Sequence, residues 1–315
     1  MYDVKRIYEA YTIDEAIQLK KEHPEARYIA GGSDVLVKIR EGKMAGLELI
    51  SLYLIDELRG VSMEEDGTIR IGSLTSFTHI TNDPIIQKYI NTLGEAVDTA
   101  GGPQLRNIAT IGGNICNAAP SADSCTTVMA YDAIIELKGE NGYREVPVKD
   151  FYIKYATVDI RETEIVTAIK IKKESYENHY GHYFKYAMRN AMDIATSTAS
   201  ANVKFDENNK VEEVRISYGV AAAIPVRAFE AEKTLVGREL TDNNINVFAK
   251  KALDELSPRD SWRASKALRT QILYEITTRC LKEIRKKHEE GLNASQRIWT
   301  IRPKTRRKTT LRTSI

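Results

Sequence analysis

The sequence predicts an α+β chain assembled in three successive units, on three observations. Helical and strand periodicities alternate over the first sixty residues. Hairpin signals dominate the middle, at Asp66-Gly67 and within "AIIELKGENGYREVPV" (133–148). Three consecutive strand patterns and then helical ones close the chain.

The elements follow in order. Thr12 and Glu15 form a capping-box pattern, Ile13, Ala16 and Ile17 give one apolar helical face, and His23-Pro24 ends it. "RYIA" (27–30) is a short strand running into "GGSD", where Ser33 or Asp34 can cap a helix beginning at Val35. "LELISLYLI" (47–55) is a second strand, and "VSMEEDGTIRIG" is a hairpin. Asp83-Pro84 opens a helix running towards Thr99, and a long glycine-rich stretch follows. "TEIVTAIKI" (163–171) alternates as a strand does. "HYFKYAMR", "ATSTASANVKF" and "KVEEVRISYGVA" read as an antiparallel three-stranded sheet. Helices are expected over 228–236, 242–256 and from Trp262 to about Glu289.

Length and composition bound the answer. The chain has 315 residues, enough for two or three domains, and 42% apolar with 29% charged residues reads as a soluble globular protein. No stretch approaches the roughly 20 apolar residues of a membrane span. The start "MYDVKRIYEAYTIDEA" lacks the apolar core of a secretory signal. Three cysteines without CxxC spacing fit a reducing cytoplasm. Residues 285–315 carry ten Lys or Arg against Glu289 and Glu290, so a basic tail follows a mildly acidic body.

Two stretches stand out for glycine, small residues and amides: "AGGSD" (30–34) and "AGGPQLRNIATIGGNICNAAPSADS" (100–124). Glycine admits positive φ and close approach to main-chain N–H groups, and successive N–H groups make an anion nest suited to phosphate. A single Gly-Gly turn between strand and helix is as a rule structural. Two of them, the second holding Thr110, Asn114 and Asp123, supply the neutral donors that a diphosphate needs. Neither matches GxGxxG or GxxxxGK[ST], so a Rossmann or P-loop reading is unsupported.

Taken together, "AGGSDVL", "GGPQLRNIATIGGNICNAAPSADS", "FKYAMRNAMDIA" and "SWRASKALR" resemble the FAD-binding (medium) subunits of the molybdenum hydroxylases, bacterial xanthine dehydrogenase above all. The resemblance implies a two-subdomain FAD-binding fold of the vanillyl-alcohol-oxidase (PCMH) type over 1–175, with subdomains of about 1–58 and 59–175. A C-terminal domain over 176–285 would follow; the basic tail over 286–315 departs from the family, whose members usually end soon after the last helix. It implies FAD with its diphosphate held by Arg27, Tyr28, Ile29, Ala30, Gly31, Gly32, Ser33 and Asp34, and by backbone donors of Ala109, Thr110, Ile111, Gly112, Gly113 and Asn114. Asp123 would hydrogen-bond the cofactor, Ile165 would lie near it, and Phe184 and Lys185 would lie near the ring. Molybdopterin and [2Fe–2S] clusters would sit on a large and a small partner subunit, in a heterotrimer or its dimer. Electrons would pass through FAD to NAD⁺ in purine catabolism. No general base or nucleophile is required of this chain, because the flavin carries the chemistry.

Other readings of single residues stay open at this level. Lys185 faces either solvent or the pyrimidine end of a flavin. Asp193 is a turn residue or part of the site. Cys116 and Cys125 read as small core residues, and the five histidines show no metal spacing. The tail reads as disordered, with nucleic-acid binding as the other option. A stand-alone flavin reductase on the same fold is the nearest rival function.

Overall fold

The computed structural model describes residues 2–291. The first unit is parallel. Strand β1 (Val4–Glu9), helix α1 (Ile13–Glu22), β2 (Arg27–Ile29), α2 (Val35–Arg40) and β3 (Leu47–Ser51) form a three-stranded sheet in the order β1-β3-β2. Strand β1 was not foreseen, because four of its six residues are exposed and leave no alternation to read. The capping pattern at α1 is real. Thr12 Oγ1 accepts from the Glu15 N–H at 3.1 Å, while the Glu15 carboxylate reaches back to the Tyr11 N–H at 2.8 Å. Ile13, Ala16 and Ile17 bury against Ile50, Leu52, Ile55, Leu58, Leu74 and Ile165. The strand expected over 47–55 stops at Ser51, and a turn closed by Ile55 N–H to the Leu52 carbonyl follows.

The middle unit is an antiparallel sheet with helices on it. Strands β4 (Val61–Met63) and β5 (Ile69–Gly72) make the expected hairpin, with Gly67 at φ +85° and the Thr68 N–H donating to Asp66 Oδ1. Helices α3 (Phe77–Asn82), α4 (Pro84–Tyr89), α5 (Asn91–Asp98), α6 (Pro103–Ile108), α7 (Ile111–Cys116) and α8 (Asp123–Ala130) follow. Strands β6 (Ile134–Gly139) and β7 (Gly142–Pro147), helix α9 (Val148–Phe151), the small hairpin β8 (Tyr152–Lys154) and β9 (Thr157–Val158), and β10 (Ile165–Ile171) complete it. The sheet order is β4-β5-β10-β6-β7. Asp83 caps α4 as expected, but the helix does not run through to Thr99. Ile90 leaves helical geometry (φ −138°, ψ 43°) and buries its side chain completely, which splits the segment into α4 and α5. The glycine-rich stretch is likewise not one long loop, since α6, α7 and the start of α8 lie within it.

The last unit begins with β11 (His179–Tyr186), β12 (Ser197–Phe205) and β13 (Val211–Gly219), the predicted antiparallel trio, and a two-residue β14 (Val226–Arg227) adds a fourth strand. Helices α10 (Phe229–Leu235), α11 (Asp242–Leu253) and α12 (Lys266–Glu289) cover one face. The last helix begins at Lys266, not Trp262, because Ser265 Oγ accepts from the Leu268 N–H and Asp260 accepts from the Lys266 N–H. Residues 286–289, read as the start of the tail, belong to this helix; the tail from 292 onward lies outside the described residues.

A buried ion pair ties α10 to the sheet. Arg227 Nε and Nη2 grip the two Glu232 oxygens at 2.7 and 2.9 Å, and Glu232 also accepts from the Ile216 N–H at 2.8 Å. Burial pushes the Glu232 carboxyl up, against the pull of Arg227. Arg227→Ala strands a carboxylate away from water, so we expect a loss of about 3–5 kcal/mol at neutral pH, read as a lowered urea midpoint with an unchanged m-value.

Candidate cofactor-binding site

The two glycine-rich turns touch. Gly31, between β2 and α2, lies so close to the end of α6 that a Cβ there would sit 1.8 Å from the Ile108 carbonyl oxygen. Gly32 stands at φ +72°. The N–H groups of Gly31, Gly32, Ser33 and Asp34 make no hydrogen bond to any described residue, and the turn is half-buried except at Ser33. A half-buried row of free donors is costly unless something accepts from it. Neither Ser33 nor Asp34 caps α2 with its side chain; Asp34 pairs with Lys38 at 2.5 Å instead. Lys38 also donates to Asn117 Oδ1 at 3.2 Å, a second tie between the two turns. Arg27 is exposed, Ile29 packs under Gly32, and the Tyr28 hydroxyl donates to the Ala16 and Thr163 carbonyls. Ile165 lies in the same apolar cluster as Tyr28 and Ala30, beneath the first turn.

The second stretch is less open than its composition suggests. The N–H groups of Ala109, Ile111, Gly112 and Asn114 donate to the carbonyls of Leu105, Thr75, Ser73 and Thr110. Thr110 Oγ1 caps α7 by accepting from the Gly113 N–H at 3.2 Å. The expectation of a broad set of backbone donors over 109–114 therefore narrows sharply. Gly112 is glycine for packing: a Cβ there would lie 2.6 Å from Ser73 Cβ. At Gly113 a Cβ would meet Thr110 Oγ1 at 2.9 Å and nothing else within 4 Å, so this backbone has an open side that a ligand can approach. Asn114 Oδ1 is held by the Ser124 hydroxyl at 2.7 Å.

A buried ionic cluster joins the start of α8 to β11. Lys185 Nζ lies 3.0 and 3.1 Å from the two Asp123 oxygens and donates to the Thr99 carbonyl at 3.0 Å. The Tyr183 hydroxyl donates to Asp123 Oδ1 at 2.9 Å. The Lys185 side chain is 9% exposed, so it does not face solvent. Burial drives the Asp123 carboxyl up, and Lys185 and Tyr183 pull it back. Tyr183 and the Thr99 carbonyl were not foreseen; strand alternation in "HYFKY" puts 183 and 185 on one face and was the available signal. That alternation sends Phe184 to the opposite face, against the C-terminal core and under Arg279. Phe184 is therefore not brought together with Asp123 and Lys185. Asp193 accepts from the Arg189 and Ile194 N–H groups, as a turn residue does. Burial pushes the Cys116 and Cys125 thiols up to about 12, and Cys125 accepts from the Tyr152 hydroxyl at 3.0 Å. Among the described residues no group of His, Cys, Asp or Glu is placed to hold a metal.

These residues fit a diphosphate: free N–H donors at 31–34, an open glycine backbone at 113, and a turn carboxylate, Asp34, paired with Lys38. Two outcomes test the construction. Gly31→Ala drives a methyl into the Ile108 carbonyl and separates the turns. We expect a cooperative loss of stability of at least 1–3 kcal/mol, and loss of FAD uptake in titrations of the folded fraction. Lys185→Met leaves Asp123 buried with no cation beside it and only the Tyr183 hydroxyl to hold it, raising its carboxyl further. The ionised form then costs stability above the raised pKa, and protonation relieves it. The deficit against the native chain should be largest near pH 8 and shrink as pH falls towards 5, read from urea midpoints across that range.

Comparison with known proteins agrees with this geometry. Residues 2–172 match the family described as the FAD binding domain in molybdopterin dehydrogenase, and residues 182–284 match the CO dehydrogenase flavoprotein C-terminal domain. The chain is 37% identical to a xanthine dehydrogenase FAD-binding subunit from Escherichia coli, over 90% of this chain and 97% of that one. It is 28% identical to the glyceraldehyde dehydrogenase medium chain of Sulfolobus acidocaldarius, over 87% and 96%. Its fold superposes on a chain of the carbon monoxide dehydrogenase of Hydrogenophaga pseudoflava with a TM-score of 0.85 at 26% identity, covering 90% and 97% of the two chains. With this fold, these two matched regions and a half-buried cradle of free donors, the chain belongs to the family of FAD-binding medium subunits of the molybdenum hydroxylases.

Proposed function

We propose that this chain is the electron-transfer subunit of a xanthine dehydrogenase, with NAD⁺ as its acceptor and purine catabolism as its setting. The observation that carries the reading is the row of free N–H groups from Gly31 to Asp34, in a turn that meets the end of α6 at the Ile108 carbonyl. The identity to the Escherichia coli xanthine dehydrogenase subunit, higher than to the glyceraldehyde dehydrogenase chain, supports the choice of substrate class. In this reading 1–58 and 59–175 flank the cofactor and 176–285 closes over its far end. Bound FAD supplies two-electron chemistry, ending in hydride transfer to NAD⁺. The protein's residues do the rest. The turn at 30–34 binds the diphosphate, and Ile165 and Tyr28 form an apolar floor below it. Asp123, held by Lys185 and Tyr183, presents a fixed polar group whose carboxyl can hold a proton. A molybdenum-cofactor large subunit and a [2Fe–2S] small subunit would deliver the electrons, in a heterotrimer or its dimer, in the cytoplasm. No helix among the described residues is long and apolar enough to cross a membrane.

The purified chain should take up one FAD without a covalent link. In the assembled complex, NADH added anaerobically should bleach the flavin bands, and xanthine should bleach them through the partner subunits. Uptake of FAD with bleaching by xanthine but not NADH would remove NAD⁺ from the reading. Bleaching by NADH but by no purine would remove the xanthine assignment.

A further inference from the structure

The C-terminal sheet is buried on both faces, and the two are built differently. Ala199, Ala201 and Val203 of β12 face the helices in an apolar core. Thr198, Ser200 and Asn202 face the other way, onto α8 of the FAD-binding unit, and are at most 2% exposed. Their cross-strand partners on that face are Lys185, Tyr183 and Gly181 on one side, and Gly219, Ser217 and Arg215 on the other. Ser217 donates to the Thr126 carbonyl, and the Gly219 backbone lies between Thr198 Oγ1 and Thr126. A seam between two folded units is thus made of small hydroxyls rather than apolar side chains.

Five of those hydroxyls, on Thr126, Thr127, Thr196, Thr198 and Ser200, are fully shielded from solvent and have no hydrogen-bond partner in the protein. Arg215 Nε, on the neighbouring strand β13 opposite Asn202, is unpaired too. Dry burial of one unbonded hydroxyl costs roughly 1–3 kcal/mol, so five together would be a heavy load for a marginally stable chain. Spacing points to the remedy. Thr196, Thr198 and Ser200 recur every two residues, about 6.8 Å apart along a strand. That is too far for hydroxyl to bond hydroxyl, or for a single water to bridge at about 2.8 Å per bond, and two linked waters span it.

We propose that the seam is a built water-binding site, a row of ordered waters anchored on Thr126, Thr196, Thr198 and Ser200 that runs to the Asp123–Lys185 pair. Lys185 stands directly across from Thr198, and Tyr183 from Ser200, so the row ends at the ionic cluster. Its waters keep a buried carboxyl in proton exchange with its surroundings. That consequence rests on the proposed function, where Asp123 lies beside the cofactor; the site itself does not.

The test uses the full chain without cofactor, so loss of FAD binding cannot imitate its result. Thr198→Val keeps the shape and removes the hydroxyl. Removal of a dry, unbonded hydroxyl raises the melting temperature; removal of a water's anchor lowers it, by roughly 2–4 °C, and Thr198→Ser restores it. A crystal structure of the native chain, which does not depend on how the variants fold, should show density within hydrogen-bond distance of at least three of the five hydroxyls. A raised melting temperature for Thr198→Val, or hydroxyls turned onto protein carbonyls with no water between them, would overturn the proposal.

Discussion

The close approach of Gly31 to the Ile108 carbonyl is the constraint on which the rest of the site depends. It brings the end of a parallel βα unit against the end of a short helix in an antiparallel unit, backbone to backbone, where no side chain fits. The two units have separate apolar clusters, one around Ile50 and Leu58, the other around Ile69, Ile111 and Ile169. Gly72 repeats the device against the Leu58 carbonyl, where a Cβ would sit 2.4 Å away. Glycine at these contacts lets two rigid pieces meet with donors still facing outward. The cradle is therefore a product of the contact between the two units.

Its electrostatics follow from the same economy. The turn at 30–34 works with neutral N–H dipoles, and its one carboxylate is paired with Lys38. At the other end the charge of Lys185 is matched by Asp123 and shared with the Thr99 carbonyl. A compensated pair acts at a distance as a dipole, so its field falls off faster than that of a lone ammonium. Burial moves the Asp123 carboxyl upward, against the pull of Lys185 and Tyr183.

Much of the fold was legible in the sequence because its signals are local. The Thr12 cap, the Asp66-Gly67 turn, the Asp83 cap and the strand residues of β10 and β13 all act within a few residues. What failed to show was set by tertiary contact. Ile90 breaks a helix to reach the core, β1 pairs in parallel with β3 while showing four exposed residues, and β14 has two residues and no pattern of its own. The site divides in the same way. Gly31 and Gly113 are visible as glycines, but composition cannot say that Gly112 serves packing on Ser73. Nor can it say that the N–H groups around it are already spent on Thr75, Ser73 and Thr110. The position of Phe184 follows from strand alternation, which a resemblance carried over residue by residue passes over.

Strand β12 shows how far a period of two can be read. Its sequence alternates Ala with Ser and Thr, which suggests a sheet with one apolar face and one wet face. The structure buries both. On the Ala side, small residues let α12 approach closely, and Ile276, Cys280 and Ile284 fill the space. On the hydroxyl side, the sheet meets α8, a helix whose eight residues are all buried and which itself presents Thr126. An apolar seam there would have fused the two cores into one and placed the Asp123–Lys185 pair in a medium too dry to stay charged. Ser217 ties the two units by donating to the Thr126 carbonyl, and the other small hydroxyls keep the surroundings of the pair polar. The alternation in the sequence therefore records two different neighbours, a helix core and an ionic cluster, and does not record solvent.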